Sequence, residues 1–155
     1  MKSKLSLLVV LFFSITFLSC NKDDDNQPIV PVVATPAGDG FSWSENGTDV
    51  VKTAPTSRFS DQYNTLYAID ASSNTVYEIN LSNDTPGTYL FDSTNANALA
   101  YVIPGATSYF TADAGSVIIT ANANGKMSGT FRATGTAVNG VTSVSGTFTN
   151  INVVQ

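Results

Sequence analysis

After residue 40 the sequence alternates apolar and polar residues in short stretches, and turn-favouring residues separate these stretches. Alternation places successive side chains on opposite faces of a β-strand, so each stretch predicts a half-buried strand. No segment of this region has the apolar spacing of a helix. Turn signals about every 8 to 12 residues are typical of sandwiches and barrels. We therefore predict an all-β fold, a single antiparallel β-sandwich or β-barrel-like domain over residues 41–155.

Two pairs of stretches give the clearest hairpins. Thr65–Ala71 and Thr75–Leu81 alternate with their apolar residues on one face. Gly115–Ala121 and Lys126–Ala133 flank Asn122–Gly125, whose last two residues form Asn-Gly, the strongest short hairpin signal. Weaker patterns predict further strands at residues 41–44, 49–53, 88–91, 98–103, 107–111 and 141–153. Residues 54–64 fit either a short strand or an irregular crossing.

The tetrapeptide Ser-Gly-Thr-Phe occurs twice, at Ser128–Phe131 and Ser145–Phe148, and Pro86–Tyr89 is a weaker echo of it. The two copies are 17 residues apart, one hairpin step, which predicts strands in related positions of the sheet. Glycine inside a strand favours a bulge or a close backbone approach, and a ligand-contacting Gly-Thr motif is the alternative. A phosphate-binding loop is excluded, because neither a lysine nor the start of a helix follows these glycines.

The charged residues exclude several classes of partner. Residues 1–19 contain two of the seven basic residues, which leaves five basic and 12 acidic residues beyond them, a formal charge of −7. Nucleic-acid binding requires clustered lysine and arginine, so we expect no nucleic-acid partner. Electrostatic docking on anionic lipid is disfavoured for the same reason. The length suits one domain that forms its core without disulfides.

The absence of histidine and the presence of a single cysteine limit the chemistry of the chain. Histidine is the commonest general base and the commonest ligand of transition metals. Catalytic pairs of serine or cysteine with histidine are therefore excluded, and zinc or copper sites of the ordinary type are disfavoured. We expect no metal and no cofactor, and we expect that the protein is not an enzyme.

Carboxylate pairs are the remaining catalytic option, as in glycoside hydrolysis. The two glutamates are Glu45 and Glu78, and four aspartates fall near strand ends or turns: Asp61, Asp70, Asp92 and Asp113. Nothing in their spacing brings any two of them together. Solvated acids and turn-forming residues are the simpler interpretation, so we predict no catalytic residues.

Aromatic residues raise a second possibility, a surface on which sugar rings stack. The candidates are Trp43, Tyr63, Tyr67, Tyr77, Tyr89, Tyr101 and Tyr109. Alternating tyrosines in strands more often pack in the core or against a neighbouring strand. The sequence does not identify a ligand-binding residue.

The N-terminus has the pattern of a secretory signal peptide, which we assign to residues 1–19. Lys2 and Lys4 precede the apolar run Leu5–Ser19, which is shorter than the roughly 20 residues that a membrane-spanning helix needs. A retained membrane-spanning anchor is the alternative. Cys20 follows Phe17-Leu18-Ser19 and resembles the lipobox cysteine of bacterial lipoproteins, which implies that Cys20 is acylated. A free or disulfide-seeking cysteine is the other interpretation.

Residues 20–40 are predicted to form an acylated, disordered and proline-rich tether. Its first part, Lys22-Asp23-Asp24-Asp25, is either a solvated charge run or an export signal. The run resembles the signal that directs lipoproteins of the Bacteroidota to the outer face of the outer membrane. This resemblance implies an outer-membrane lipoprotein facing the cell exterior, with the periplasmic face as the alternative.

Three stretches carry a resemblance to a known family: the pattern from Gly115 to Phe148 with its two Ser-Gly-Thr-Phe copies, Phe41-Ser42-Trp43, and Pro86–Tyr89. Through them, residues 41–150 resemble a family of small Bacteroidota lipoproteins from flavobacteria, a domain family of unknown function. The resemblance implies no catalytic residue. We expect a non-enzymatic binding or structural module whose partner is a glycan, peptide or protein. The alternatives are a lipocalin-like carrier of a small apolar ligand and a carboxylate-based polysaccharide-active enzyme.

Overall fold

A computed structural model describes residues 38–155. The predicted signal peptide, Cys20, the run Lys22–Asp25 and nearly all of the predicted tether lie outside the described residues. Within residues 38–155 the secondary structure consists of eleven strands. No helix in this part of the chain is long and apolar enough to cross a membrane.

The strands follow the predicted alternation closely. Their bounds are β1 (Gly40–Glu45), β2 (Lys52–Ala54), β3 (Thr56–Ser60), β4 (Thr65–Ile69), β5 (Thr75–Asn80), β6 (Gly87–Phe91), β7 (Ala98–Tyr101), β8 (Phe110–Thr111), β9 (Ala114–Ala123), β10 (Lys126–Val138) and β11 (Val141–Val154). The predicted hairpins appear as β4–β5 and β9–β10, both antiparallel. The predicted strand at residues 107–111 is shorter than expected, because only its last two residues pair with β7.

Two Asn-Gly dipeptides close the tightest hairpins. Residues 124–125 join β9 to β10 and residues 139–140 join β10 to β11, and all four residues have positive φ, between 51° and 78°. Positive φ at both central positions is the requirement of a type I′ turn, whose twist matches that of the flanking strands. These turns set the register of the three longest strands.

The strands form one sheet in the order β6-β9-β10-β11-β3-β4-β5-β7-β8, and β1 and β2 branch from β11. The long strand β11 pairs along one edge with β10; along the other it pairs first with β1 and then, in parallel, with the end of β3. Because of this parallel pair the sheet is mixed, which the sequence did not indicate. Residues 54–64 contain strand β3, so the strand interpretation of that stretch is confirmed.

The sheet curls into a half-barrel, which confirms the all-β prediction in its barrel-like form. The chain itself explains the curl. Strand β8 ends one side of the sheet, yet only residues 112–113 separate it from β9, near the other side. Asp113 N–H donates a hydrogen bond to the Thr134 carbonyl at 2.9 Å, which ties this connection to β10.

Aromatic side chains fill the concave side of the half-barrel. Five of them form the aromatic cluster: Phe41, Trp43, Tyr77, Tyr101 and Phe131. Neighbouring ring centroids lie 4.4 Å to 6.0 Å apart, the range in which aromatic pairs attract each other beyond the effect of burial. Leucine, isoleucine and valine from the other strands complete one continuous core.

Candidate functional site

Two loop aspartates, Asp70 and Asp92, accept hydrogen bonds from the backbone of their own turns. Asp70 Oδ1 accepts hydrogen bonds from the backbone N–H groups of Ser72 and Asn74, both at 2.8 Å. Asp92 Oδ1 likewise accepts from Thr94 N–H at 2.8 Å and from Asn95 N–H at 3.0 Å. Hydrogen bonds to the charged form lower a carboxyl pKa. The backbone bond from Asn74 is the main cause of the lowered pKa of Asp70. For Asp92 the main cause is the bond that the Thr94 hydroxyl group donates to Oδ1, and the backbone bonds add to it.

The two glutamates are not brought together as a catalytic pair. Asp61 and Asp113 lie in connections next to β3 and β9. Glu45 shares the inward face of β1 with Phe41 and Trp43, because side chains alternate along a strand. Glu78 lies between two buried residues of β5 and therefore points to the outer face, the face directed away from the core. Glu45 and Glu78 thus face opposite sides of the sheet.

Glu45 closes one end of the aromatic cluster. Its Oε1 atom accepts hydrogen bonds from Lys52 Nζ, at 2.5 Å, and from the hydroxyl group of Tyr101. Burial alone would raise the pKa of Glu45, but the bonds from Lys52 and Tyr101 and the Lys52 charge outweigh burial and lower the pKa. The indole N–H of Trp43 adds to this lowering without reaching hydrogen-bond geometry.

Beneath Glu45, the two stacked tyrosines of the cluster differ in their hydrogen bonding. Tyr77 and Tyr101 have ring centroids 4.4 Å apart and nearly parallel planes. The Tyr101 hydroxyl donates to Glu45, whereas the buried Tyr77 hydroxyl has no partner among the described residues. Burial raises the pKa of Tyr77 first, and the nearby Tyr101 and Glu45 raise it further. Burial and the bond to Glu45 also raise the pKa of Tyr101.

The structure divides the aromatic candidates between the core and the surface. Four are buried: Trp43, Tyr77, Tyr89 and Tyr101. Tyr67 is half-buried on the outer face of β4. Tyr63 and Tyr109 are exposed, with 64% and 60% of their surface accessible. A stacking surface built from all seven residues therefore does not form. Of the two exposed tyrosines, Tyr109 is the stronger candidate for ligand contact because it borders a groove.

This groove, which we call the outer groove, lies on the outer face of strands β5, β7 and β8 and has a volume of about 390 Å³. That volume is within the range of small-molecule sites. Ala98 and Ala100 form its floor, Glu78 and Asn80 line one side, and Tyr109 lines the other. Among the described residues that line it, Glu78 is the only charged one.

Strand alternation explains the composition of the outer groove. On β5 the buried Tyr77 and Ile79 alternate with the outward Glu78 and Asn80. On β7 the buried Leu99 and Tyr101 alternate with two outward alanines, whose small side chains leave space above the sheet. The sequence alone indicated the polar face of β5. It did not indicate the groove, because Tyr109 reaches it from the loop before β8.

Two hydrogen bonds hold the polar side chains of the outer groove. Glu78 Oε1 accepts from Asn80 Nδ2 at 3.2 Å, and Asn80 Oδ1 accepts from Thr65 Oγ1 at 2.7 Å. The carboxylate keeps free acceptor capacity, since each ionised oxygen has two lone pairs. The groove therefore offers fixed hydrogen-bonding groups beside an exposed aromatic ring.

A second, more polar depression of about 280 Å³ lies near the start of β1 and β3. Its main polar groups already bond to one another. Asn150 Nδ2 donates to Asp39 Oδ1 at 2.7 Å, and Lys126 Nζ donates to Asn152 Oδ1 at 2.6 Å. We therefore regard the outer groove as the stronger candidate site. Across residues 38–155 there is no cluster of three or more acidic, cysteine or histidine side chains that could hold a metal ion.

Fold and groove together define a β-rich domain with an open surface site. The chain belongs to the family DUF6252, a domain of unknown function, whose model matches residues 53–152. The matched range contains every strand of the outer groove and both Ser-Gly-Thr-Phe copies. Neither a search of curated proteins nor a search of solved structures gave a significant match.

Proposed function

We propose that the chain is a lipoprotein of a Bacteroidota cell, anchored through acylated Cys20 and displayed on the outer face of the outer membrane. The lipobox-like Phe17–Cys20 and the following run Lys22–Asp25 support this location. Stable anchoring by acyl groups requires more than one chain, at about 0.8 kcal/mol per buried methylene.

Protease treatment of intact cells tests this location. Cleavage of the wild type outside the cell, together with loss of Cys20→Ala from the membrane fraction, is the expected result. Protection until the outer membrane is permeabilised would place the protein at the periplasmic face instead. Lys22–Asp25 would then be a solvated spacer.

We infer that the β domain is a non-enzymatic binding module and that the outer groove binds a neutral glycan. The observation that carries this inference is Tyr109, exposed beside a floor of small alanines and opposite the hydrogen-bonding side chains of Glu78 and Asn80. An aromatic ring provides a flat apolar surface for one face of a sugar, and carboxylate and amide groups bond to its hydroxyl groups.

The charge of the groove favours a neutral sugar over an anionic one. Glu78 would repel a ligand carboxylate or phosphate, and the formal charge of −7 beyond residue 19 acts in the same direction. A peptide or protein partner would reach the same groove, and arrays that carry both ligand classes distinguish them.

The two alternative functions have less support. A lipocalin-like carrier needs an internal cavity, whereas the five rings of the aromatic cluster pack within 6.0 Å of their neighbours on the concave side. A carboxylate enzyme needs two acids on one side of a cleft. Glu45 and Glu78 lie on opposite faces of the sheet.

The binding test compares two tyrosines of similar exposure, Tyr109 and Tyr63. The full-length chain, purified in detergent, is applied to arrays of neutral glycans and of peptides. Tyr109→Ala should lose most of the glycan signal, whereas Tyr63→Ala, outside the outer groove, should retain it. Equal signals from both variants, or binding to peptides alone, would contradict the proposal.

A further inference from the structure

We propose that the glycan site does not end at the outer groove but continues across strands β4 and β3. Its ligand would then be a linear oligosaccharide chain that runs across the strands, rather than a single terminal sugar. This inference rests on the proposed function, because it extends the same site.

The register of the sheet provides the extension. The outer face has a row of five residues, one from each of β3, β4, β5, β7 and β8. Each residue pairs directly with the next one on the neighbouring strand, in the order Arg58, Tyr67, Glu78, Ala100 and Thr111. We call this set the cross-strand row. Neighbouring strands lie about 4.8 Å apart, so the row extends about 19 Å. That length exceeds a single sugar ring and suits several linked units.

The row continues the chemistry of the outer groove beyond Glu78. Tyr67 is the direct neighbour of Glu78 and is half-buried. Arg58 lies over one face of its ring, so Tyr67 adds its hydroxyl group and the uncovered part of its ring to the row. The guanidinium carbon of Arg58 lies 5.4 Å from the centroid of the Tyr67 ring. This cation–π distance holds the two side chains together.

The two charged side chains of the row suit a neutral ligand with many hydroxyl groups. Arg58 offers hydrogen-bond donors, and Glu78 offers acceptors, on either side of Tyr67. A hydroxyl group both donates and accepts, so a sugar chain can satisfy both ends of the row. A chain carrying a negative charge on every unit would be repelled by Glu78, although Arg58 would attract it.

The test uses oligosaccharides of increasing length. The probes are β-1,4-glucose, β-1,3-glucose, β-1,4-mannose and β-1,4-xylose series, from disaccharide to hexasaccharide, titrated into the full-length chain in detergent. For the series that binds, affinity should rise about tenfold from disaccharide to hexasaccharide, because additional units gain contacts with Tyr67 and Arg58.

Two variants test whether the cross-strand row causes this rise in affinity with chain length. Arg58→Ala, at an exposed strand position, and Tyr67→Ala should weaken hexasaccharide binding about tenfold and leave disaccharide binding unchanged. Tyr63→Ala should change neither. Equal affinity at all lengths, or equal losses of affinity for short and long chains, would contradict the continuation of the site along the cross-strand row. The outer groove would then remain the whole binding site. Absence of binding at every length in all four series would count against both proposals.

Discussion

Gly129 lies directly opposite Phe148 in the ladder between β10 and β11. The relationship is reciprocal, because Gly146 of the second Ser-Gly-Thr-Phe copy lies opposite Phe131 of the first. A Cβ atom on Gly129 would lie 2.4 Å from Phe148 Cζ, and one on Gly146 would lie 2.5 Å from Phe131 Cζ. Each copy therefore provides the glycine over which the phenylalanine of the other copy packs.

A methyl group at Gly129 should destabilise the domain. The new Cβ atom would also lie 2.2 Å from the Ile118 carbonyl oxygen, a backbone atom that cannot move independently of the sheet. We expect Gly129→Ala to lower the free energy of unfolding by about 3 kcal/mol, as overpacking of a well-packed core does. Urea unfolding of the full-length chain measures this change.

Gly87 provides the matched control for this substitution. It lies in the weaker echo of the motif, and an added Cβ atom there would have no neighbour closer than 3.9 Å. Gly87→Ala should therefore change the free energy of unfolding by less than about 1 kcal/mol. If both variants unfold at the same urea concentration, the reciprocal packing does not explain the repeated motif.

The repeated motif shows how far the sequence alone could predict the fold. Its spacing placed the two copies in related strands, and glycine inside a strand indicated a bulge or a close approach. The bulge occurs where the register of β9 and β10 shifts between Ser128 and Gly129. The close approach occurs where Gly129 and Gly146 lie against the two phenylalanines. The partner of each glycine was not predictable, because a one-residue change of register would have placed each phenylalanine on the opposite face.

The stacked tyrosines Tyr77 and Tyr101 allow a comparison of two hydroxyl groups in one cluster. Tyr77→Phe removes a buried hydroxyl group that has no described partner, so we expect stability to rise by about 1 kcal/mol. Tyr101→Phe removes a hydrogen bond to a charged carboxylate and should lower stability by about 2 kcal/mol. Chemical denaturation of both variants gives the two values. Equal destabilisation would mean that the Tyr77 hydroxyl bonds to an ordered water.

Glu45 should make the domain sensitive to acid. Because its pKa is lowered in the folded state, Glu45 contributes stability above its ordinary pKa, and this contribution disappears as the pH falls through the lowered value. The difference in unfolding free energy between wild type and Glu45→Gln should therefore shrink on acidification. Unfolding curves from neutral to acidic pH measure this difference.

Lys52→Met provides the companion variant for this pH series. It keeps an apolar stem of similar length but removes the charge that lowers the Glu45 pKa. Without that charge, burial moves the folded-state pKa of Glu45 back up towards or past its ordinary value, so acidification should cost this variant less stability than it costs the wild type. An unchanged pH profile would show that the ion pair does not influence Glu45.

A bulky side chain on the floor of the outer groove should block binding. Ala100 is half-buried between Glu78 and Thr111, so the ring of Ala100→Trp would occupy the space above β7. We expect glycan binding to fall at least about tenfold. Leu90→Trp, on the exposed face of β6, is the control and should bind normally. Full binding by Ala100→Trp would exclude the groove as the site.

The candidate site was less predictable than the strands. Alternation revealed the outward positions of Glu78 and Asn80, because it is a local property of one strand. The groove depends on β5, β7 and β8 being neighbours, and on a curl that arises from the short connection between β8 and β9. The parallel pair of β3 and β11 joins residues that are far apart in the sequence. No local sequence pattern predicts such a contact.

One measurement tests the central claim, that the outer face of the half-barrel binds a glycan. The full-length chain is labelled with fluorotyrosine at its six tyrosines, and its ¹⁹F NMR spectrum is followed during titration with the oligosaccharide series. We predict that the signals of Tyr109 and Tyr67 move, while those of Tyr63 and the three buried tyrosines do not. Movement confined to Tyr63 or to the buried tyrosines, or six unchanged signals, would contradict the account.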